Sequence, residues 1–118
     1  MRSLELKVHP PDAGGEFLIV ELIGYLDADT VQQLNQRVSE SLTDEVTCLI
    51  FQLEELAYIS SAGIGAFMGW AQLLRDSGGR LVLVQPSAKI YKILELLGFT
   101  RVVGIADSLE QAFVPKTV

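Results

Sequence analysis

Two adjacent serines, Ser60 and Ser61, are the side chains of this sequence best placed to take part in chemistry. They follow the apolar segment LAYI and precede Ala62–Gly65, where an apolar stretch with helical character begins. The first amides of a helix have no intrahelical acceptor, and the helix dipole leaves partial positive charge there. A phosphate on either hydroxyl would add a charge of about −1.5 to −2 beside these donors. The turn is therefore a candidate charge switch.

The same serines also fit a purely structural role. Serine is among the commonest N-cap residues, because its hydroxyl accepts a hydrogen bond from a free amide of the first turn. The small residues after the serines would then serve close packing only. Taken alone, the residues of this turn leave both interpretations open.

Nucleotide-binding motifs do not match the sequence. Gly63, Gly65 and Gly69 partly follow a dinucleotide-binding fingerprint, but Met68 occupies the position of the third glycine. No acidic residue ends a strand about 20 residues later, as that fingerprint requires. A Gly-Lys-Ser/Thr phosphate loop is also missing, so we expect no cofactor.

Catalytic and metal-binding combinations are missing as well. The single histidine, His9, has no partner residues nearby in the sequence, so Ser61 lacks an imidazole that would activate it. The single cysteine, Cys48, lies in an apolar run and is expected to be a small buried side chain. Glu54 and Glu55 are adjacent and are expected to face solvent. We therefore expect a protein that is not an enzyme and holds no metal.

The composition indicates one globular domain over residues 1–118. Hydrophobic residues make up 49% of the chain and the net charge is −6, which disfavours nucleic acid and anionic lipid as partners. The first residues lack the apolar core of a signal peptide, and no run of about 18 apolar residues is present. We expect a cytoplasmic protein without membrane insertion.

Hydrophobic periodicity predicts the order β-β-α-β-α-β-α-β-α. The first two strands should form a hairpin around the turn at 10–15, and the later alternation favours parallel crossovers. The expected fold is α/β, a mixed sheet with a largely parallel core packed against about four helices. The predicted strands are 4–8, 17–23, 46–53, 81–84 and 102–105, and the predicted helices are 30–42, 62–75, 88–97 and 108–114.

Capping boxes are predicted at the starts of the first and last helices, at Asp29 with Gln32 and at Asp107 with Glu110. Ser87 is predicted to cap the third helix.

The second helix is nearly apolar throughout and should be well buried. Gly65 and Gly69 share one face and should let it approach the sheet closely. Residues Gly24–Ala28 are expected to end the second strand, and Ile90, Ile93, Leu94 and Leu97 to form the apolar stripe of the third helix.

Two segments resemble a known family. Tyr58–Gly65, YISSAGIG, resembles the phosphorylation motif of the anti-sigma factor antagonists, which are STAS domains; that motif runs aromatic, apolar, Asp, Ser, Ser/Thr, Gly, Leu/Ile, Gly. Gly24–Thr30, GYLDADT, is similar to the family's Gly-x-Leu-Asp-x-x-Thr loop before its first helix. The element order and the length agree over essentially the whole chain.

The resemblance implies a STAS-like fold and a regulatory role. Family members bind a serine kinase that is also an anti-sigma factor, are inactivated when that kinase phosphorylates them, and are restored by a phosphatase. By position, Ser61 is the implied phosphoacceptor. The implied partner surface consists of Asp27, Thr30, Ser60, Ala62, Gly63 and Ile64, on a monomer or weak dimer.

Two positions depart from the family pattern. Ser60 stands where the family usually has Asp, which makes Ser60 a rival acceptor, and Ala62 stands where it usually has Ser or Thr. The alternative is therefore a STAS subunit that does not switch, in a stress-signalling scaffold or a lipid-transport ABC system.

Overall fold

The computed structural model describes residues 2–11 and 15–114, so residues 12–14 of the predicted hairpin turn lie outside it. The described residues form six strands and four α-helices. The strands are β1 (Leu4–His9), β2 (Phe17–Leu26), β3 (Cys48–Gln52), β4 (Leu56–Ile59), β5 (Arg80–Val84) and β6 (Gly104–Ala106). The helices are α1 (Val31–Ser41), α2 (Ser61–Asp76), α3 (Ala88–Leu96) and α4 (Leu109–Ala112), and a 3₁₀ turn, Phe99–Arg101, precedes β6.

The six strands form one mixed sheet. β1 is antiparallel to β2, every other pairing is parallel, and the order is β1-β2-β3-β5-β6. β2 pairs with β3 over Phe17–Glu21 and with β4 over Gly24–Leu26. The predicted α/β fold, with an N-terminal hairpin on a largely parallel core and four helices, is confirmed.

The end of β2 differs from the prediction. The strand continues to Leu26 because Gly24 adopts a φ of 109°, and a side chain there would meet the carbonyl oxygen of Ser3 at 2.5 Å. The pairing register shifts between Gly24 and Tyr25. Beyond this irregularity β2 pairs with β4, a sixth strand that the sequence pattern had not separated from the serine turn.

Different elements bury the two faces of the sheet. Side chains of α1, α2 and α3 pack on one face, where the rings of Phe51 and Phe67 lie 5.1 Å apart. The short α4 packs on the other face, against Cys48, Ile50 and Val82. Strands β3 and β5 are therefore covered on both sides, which explains their continuous apolar sequences.

The predicted capping box at Asp29 and Gln32 is wrong. Thr30 is the N-cap residue of α1, and its side chain makes no capping hydrogen bond. The amides of Asp29 and Thr30 instead donate to Asp27 Oδ1, at 3.0 and 3.1 Å.

The last helix is also capped one residue later than predicted. Ser108 accepts from the amide of Gln111, and Gln111 Oε1 accepts from the amide of Asp107, so Asp107 and Glu110 form no capping box. Ser87 caps α3 as predicted, at 3.2 Å from the amide nitrogen of Ile90.

Only one face of α2 is buried. Met68 and Leu73 are exposed, so the prediction that this nearly apolar helix is well buried is wrong. Gly65 and Gly69 have open space where a Cβ would stand, and neither brings the helix to the sheet. The glycine that does so is Gly63. The buried residues of α2 are Gly63, Phe67, Ala71 and Leu74.

Candidate functional site

The two segments that resemble the family motifs meet at one edge of the sheet. Leu26 and Ile59 are paired at the carboxyl ends of β2 and β4, and the amide of Ser60 donates to the carbonyl oxygen of Leu26 at 2.9 Å. Asp27 follows Leu26 directly, and Ser61 begins α2. The sheet therefore carries the loop of Asp27 and the start of α2 side by side.

Ser60 is the N-cap residue of α2. Its backbone is extended, with a φ of −94° and a ψ of 176°, and its Oγ accepts from the amide of Gly63 at 3.4 Å. Its carbonyl oxygen accepts from the amide of Ile64 at 3.0 Å. The half-buried Ser60 side chain is thus part of the helix terminus.

Ser61 is the first residue of α2, and its side chain is exposed. Within residues 2–11 and 15–114, its hydroxyl has no hydrogen-bond partner, and the amides of Ser61 and Ala62 donate to no protein acceptor. The first turn contains no acidic side chain that would balance the positive end of the helix dipole. An anionic group on Ser61 Oγ would meet free donors and positive potential.

Asp27 and Thr30 lock the neighbouring loop. Thr30 is 8% exposed; its Oγ1 donates to the carbonyl oxygen of Tyr25 at 2.9 Å and accepts from the amide of Asp27 at 3.0 Å. Asp27 Oδ1 in turn accepts hydrogen bonds from the amides of Asp29 and Thr30, the two residues that precede α1. Both side chains therefore fix the shape of the loop that lies beside Ser61.

Gly63 sets how closely α2 approaches the strand ends. A Cβ at this position would stand 2.8 Å from Ile59 Cγ1 and 2.9 Å from Leu26 Cγ. Ile64 is partly buried against the same core. The start of α2, and with it Ser61, is thus held directly above the paired ends of β2 and β4.

A groove between α1 and α2 begins next to Ser61. It has a volume of about 450 Å³ and is deepened by small residues of α2. Trp70 Nε1 donates to Asn35 Oδ1 across it at 2.8 Å. This groove was not predicted from the sequence, although the small residues recur at helical spacing. Its lining residues are Val31, Asn35, Ala62, Gly65, Ala66, Gly69, Trp70 and Leu73.

The described residues offer little other chemistry. They contain no group of three or more His, Cys, Asp or Glu side chains arranged for a metal ion. His9 pairs with Glu21 across β1 and β2, while Glu54 and Glu55 are exposed, as predicted. Cys48 is buried, as predicted, and this burial raises the pKa of its thiol from 9.0 to about 11.

Among the helices of residues 2–11 and 15–114, none combines the length and the hydropathy needed to cross a bilayer.

The fold and the paired motif loops define a STAS domain, and comparison with known proteins agrees. The STAS domain model matches residues 4–112, and the chain belongs to this family, among its anti-sigma factor antagonists. It is 31% identical over 84 residues to the anti-sigma F factor antagonist of Lysinibacillus sphaericus, covering 70% of this chain and 72% of that protein.

Solved structures are similar over nearly the whole chain. The unphosphorylated form of the anti-sigma factor antagonist SpoIIAA matches with a TM-score of 0.74 at 25% identity, covering 93% of this chain and 92% of that one. SpoIIAA of Bacillus in its phosphorylated form matches with a TM-score of 0.69 at 25% identity, covering 93% and 96%.

Proposed function

We propose that this protein is a phosphorylation-controlled binding module that captures an anti-sigma factor when Ser61 is unmodified. The observation that carries the proposal is the exposed hydroxyl of Ser61 at the start of a helix whose first two amides donate to no acceptor among the described residues. The relatives are named for antagonising an anti-sigma factor, and SpoIIAA has been solved in both phosphorylation states. The protein acts in the cytoplasm, and it is a substrate of enzymes and not itself an enzyme.

The proposed partner surface surrounds Ser61. It joins the loop of Asp27 and Thr30 to the first turn of α2, including Ser60, and continues into the groove that begins at Ala62. Gly63 allows this turn to approach the strand ends closely, and Ile64 packs against the core. The anti-sigma factor, which is also the serine kinase, contacts this surface and a phosphatase later reaches the same exposed position. The antagonist acts as a monomer or a weak dimer.

Phosphorylation would disrupt this surface by charge. A dianion on Ser61 must be desolvated when the partner binds, and it repels acidic groups nearby. Each 1.4 kcal/mol of this penalty lowers affinity about tenfold. The fold itself should tolerate the phosphate, because anionic groups at a helix N-terminus are stabilising by about 0.3–1 kcal/mol. A switch that changes binding without unfolding the protein follows from this location.

Ser61 is the better acceptor of the two serines. Its hydroxyl is exposed, whereas Ser60 is half buried and its Oγ accepts from the amide of Gly63. A kinase that used Ser60 would have to disrupt the helix cap.

The test is incubation with ATP and a serine kinase of the anti-sigma factor class, followed by mass spectrometry of wild type, Ser60→Ala and Ser61→Ala. The proposal predicts phosphate on wild type and Ser60→Ala and none on Ser61→Ala. Phosphate that persists on Ser61→Ala would transfer the role to Ser60. No phosphate on any of the three proteins would favour the STAS subunit that does not switch, which should then co-purify with a scaffold or a transporter ATPase.

A further inference from the structure

An exposed apolar patch lies at the end of the molecule opposite Ser61. α2 has 16 residues, and a helix of this length is about 24 Å long, so its last turn is far from its first. Arg75 in that last turn donates to the carbonyl oxygen of Val102 at 3.0 Å, beside the end of α3. Leu96 is 75% exposed, Leu97 57% and Val102 41%. We call these three residues the α3-end patch.

The patch is not left over from the core of α3. Ile90 and Leu94 bury this helix, so the predicted apolar stripe stops before Leu97. The side chains of Leu96 and Leu97, which are adjacent in the sequence, are both exposed to solvent. Single exposed leucines are ordinary on a protein surface, but neighbouring large apolar side chains typify binding surfaces.

The surroundings of the patch are basic in an acidic protein. Residues 75–102 without Arg80, whose guanidinium donates to the carbonyl oxygen of Ala112 on the other face of the sheet, contain four Lys or Arg and two Asp or Glu. Their net charge is +2, whereas the whole chain carries −6. Lys92 lies four residues before Leu96, on the same side of α3, and Arg101 precedes Val102; both are exposed. Within the described part of the chain, neither cation lies within 4 Å of a carboxylate.

We propose that the α3-end patch and its basic rim form a second docking surface, for a protein segment with apolar side chains flanked by acidic ones. The leucines would bury apolar groups, and Lys92 and Arg101 would face carboxylates. Anionic lipid shares part of this chemistry, but a membrane is an extended surface that would also face the acidic remainder of the chain, whereas a short segment meets only the patch and its rim. The occupant is therefore an acidic, amphipathic segment of a protein.

Occupation of this surface should be independent of the switch. The length of α2 exceeds the Debye length of about 8 Å at physiological salt, so charge on Ser61 is screened at the patch. A protein bound there and the anti-sigma factor could be held at the same time. Docking at the α3-end patch therefore does not depend on phosphorylation of Ser61.

The test uses a labelled amphipathic peptide with Leu at i, i+3, i+4 and i+7 and Glu at the other positions, and two versions with Gln or Lys in place of Glu. Fluorescence anisotropy should show binding that falls from Glu to Gln to Lys. Amide shifts in NMR spectra should fall within residues 89–102 and spare residues 60–66. Ser61→Asp should bind the Glu peptide as the wild type does.

A pair of charge-reversed variants separates the patch from net charge. Lys92→Glu with Arg101→Glu should weaken binding of the Glu peptide about tenfold or more. The control, Lys7→Glu with Arg37→Glu, changes the net charge equally at exposed positions elsewhere and should leave binding nearly unchanged. Equal loss in both variants would overturn the proposal.

Three further outcomes would also overturn it. One is no binding of the Glu peptide at millimolar concentration. Another is stronger binding to phosphatidylglycerol vesicles than to the peptide through the same residues, which would make the patch a membrane surface. The third is self-association in sedimentation experiments that Leu96→Ser abolishes, since the occupant would then be a second copy of this chain.

Discussion

The backbone amide of Ser60 donates a 2.9 Å hydrogen bond to the carbonyl oxygen of Leu26. This bond extends the pairing of β2 with β4 by one residue and joins the start of α2 to the loop of Asp27. Two segments that are more than 30 residues apart in the sequence thereby become one surface. The position of Ser61 depends on this junction and on the glycine that packs beneath it.

Gly63 and Gly65 should respond oppositely to alanine. A methyl group at Gly63 would stand 2.8 Å from Ile59 Cγ1, whereas one at Gly65 meets nothing within 4 Å. Gly63→Ala should lower the free energy of unfolding by about 1–3 kcal/mol through overpacking. Gly65→Ala should raise it by up to about 1 kcal/mol through helix propensity. Urea denaturation measures both, and a neutral Gly63→Ala would contradict the close contact with the strand ends.

Thr30 should be more important for stability than other threonines. Thr30→Val leaves the carbonyl oxygen of Tyr25 and the amide of Asp27 without the partners they now have. A loss of about 1–3 kcal/mol is expected, the typical cost of buried polar groups left unsatisfied. Thr43→Val is the matched control at an exposed loop position, and its effect should stay within about 0.5 kcal/mol. Equal effects in thermal unfolding would refute the structural role of the Thr30 hydroxyl.

The two serines of the turn should differ in their structural roles. Ser60→Ala removes the hydroxyl that caps α2 and should cost about 0.5–1 kcal/mol, at the low end for caps because the 3.4 Å bond is long. Ser61→Ala removes a hydroxyl without a described partner and should leave stability nearly unchanged. Chemical denaturation of both variants tests this, and a larger loss for Ser61→Ala would show that the capping roles are reversed.

Much of the fold follows from the pattern of apolar residues. β3 and β5 could be predicted because burial of both of their faces requires continuous apolar runs in the sequence. α3 could be predicted because Ser87 marks its start. β4 was not recognised as a strand of its own, since its pairing partner is the part of β2 beyond Gly24. Gly24, with a φ of 109°, carries β2 through that position, and a side chain there would meet the carbonyl oxygen of Ser3.

Hydropathy was less informative about α2 and the site. Met68 and Leu73 are apolar yet exposed, because apolar character alone does not tell which face of a helix meets the sheet. The carboxylate at the start of α1 was assigned to Asp29, but β2 extends far enough to place Asp27 there. The motif segments themselves were identified by resemblance, and their contact depends on the pairing of β2 with β4 that the periodicity did not reveal.

The buried thiol of Cys48 predicts alkaline sensitivity. Burial raises its pKa to about 11 from 9.0, an effect that nearby Arg80 partly offsets. Well below pH 9 both the folded and the unfolded chain hold the proton, so Cys48 contributes no pH dependence to the free energy of unfolding there. Between pH 9 and 11 only the unfolded chain loses it, and the free energy of unfolding should fall.

Denaturation at a series of pH values, compared with Cys48→Ala, isolates this contribution of the thiol. The variant should show a shallower decline above pH 9, even if it is less stable throughout. Parallel curves for the two proteins would mean that Cys48 does not titrate differently in the folded state.

The most direct test of the switch is the affinity of the unmodified, Ser61→Ala and Ser61→Asp proteins for the anti-sigma factor, measured by calorimetry beside their melting temperatures. The account predicts that Ser61→Ala binds like wild type, that Ser61→Asp binds about tenfold more weakly or worse, and that all three melt at nearly the same temperature. Equal affinity of wild type and Ser61→Asp would contradict it.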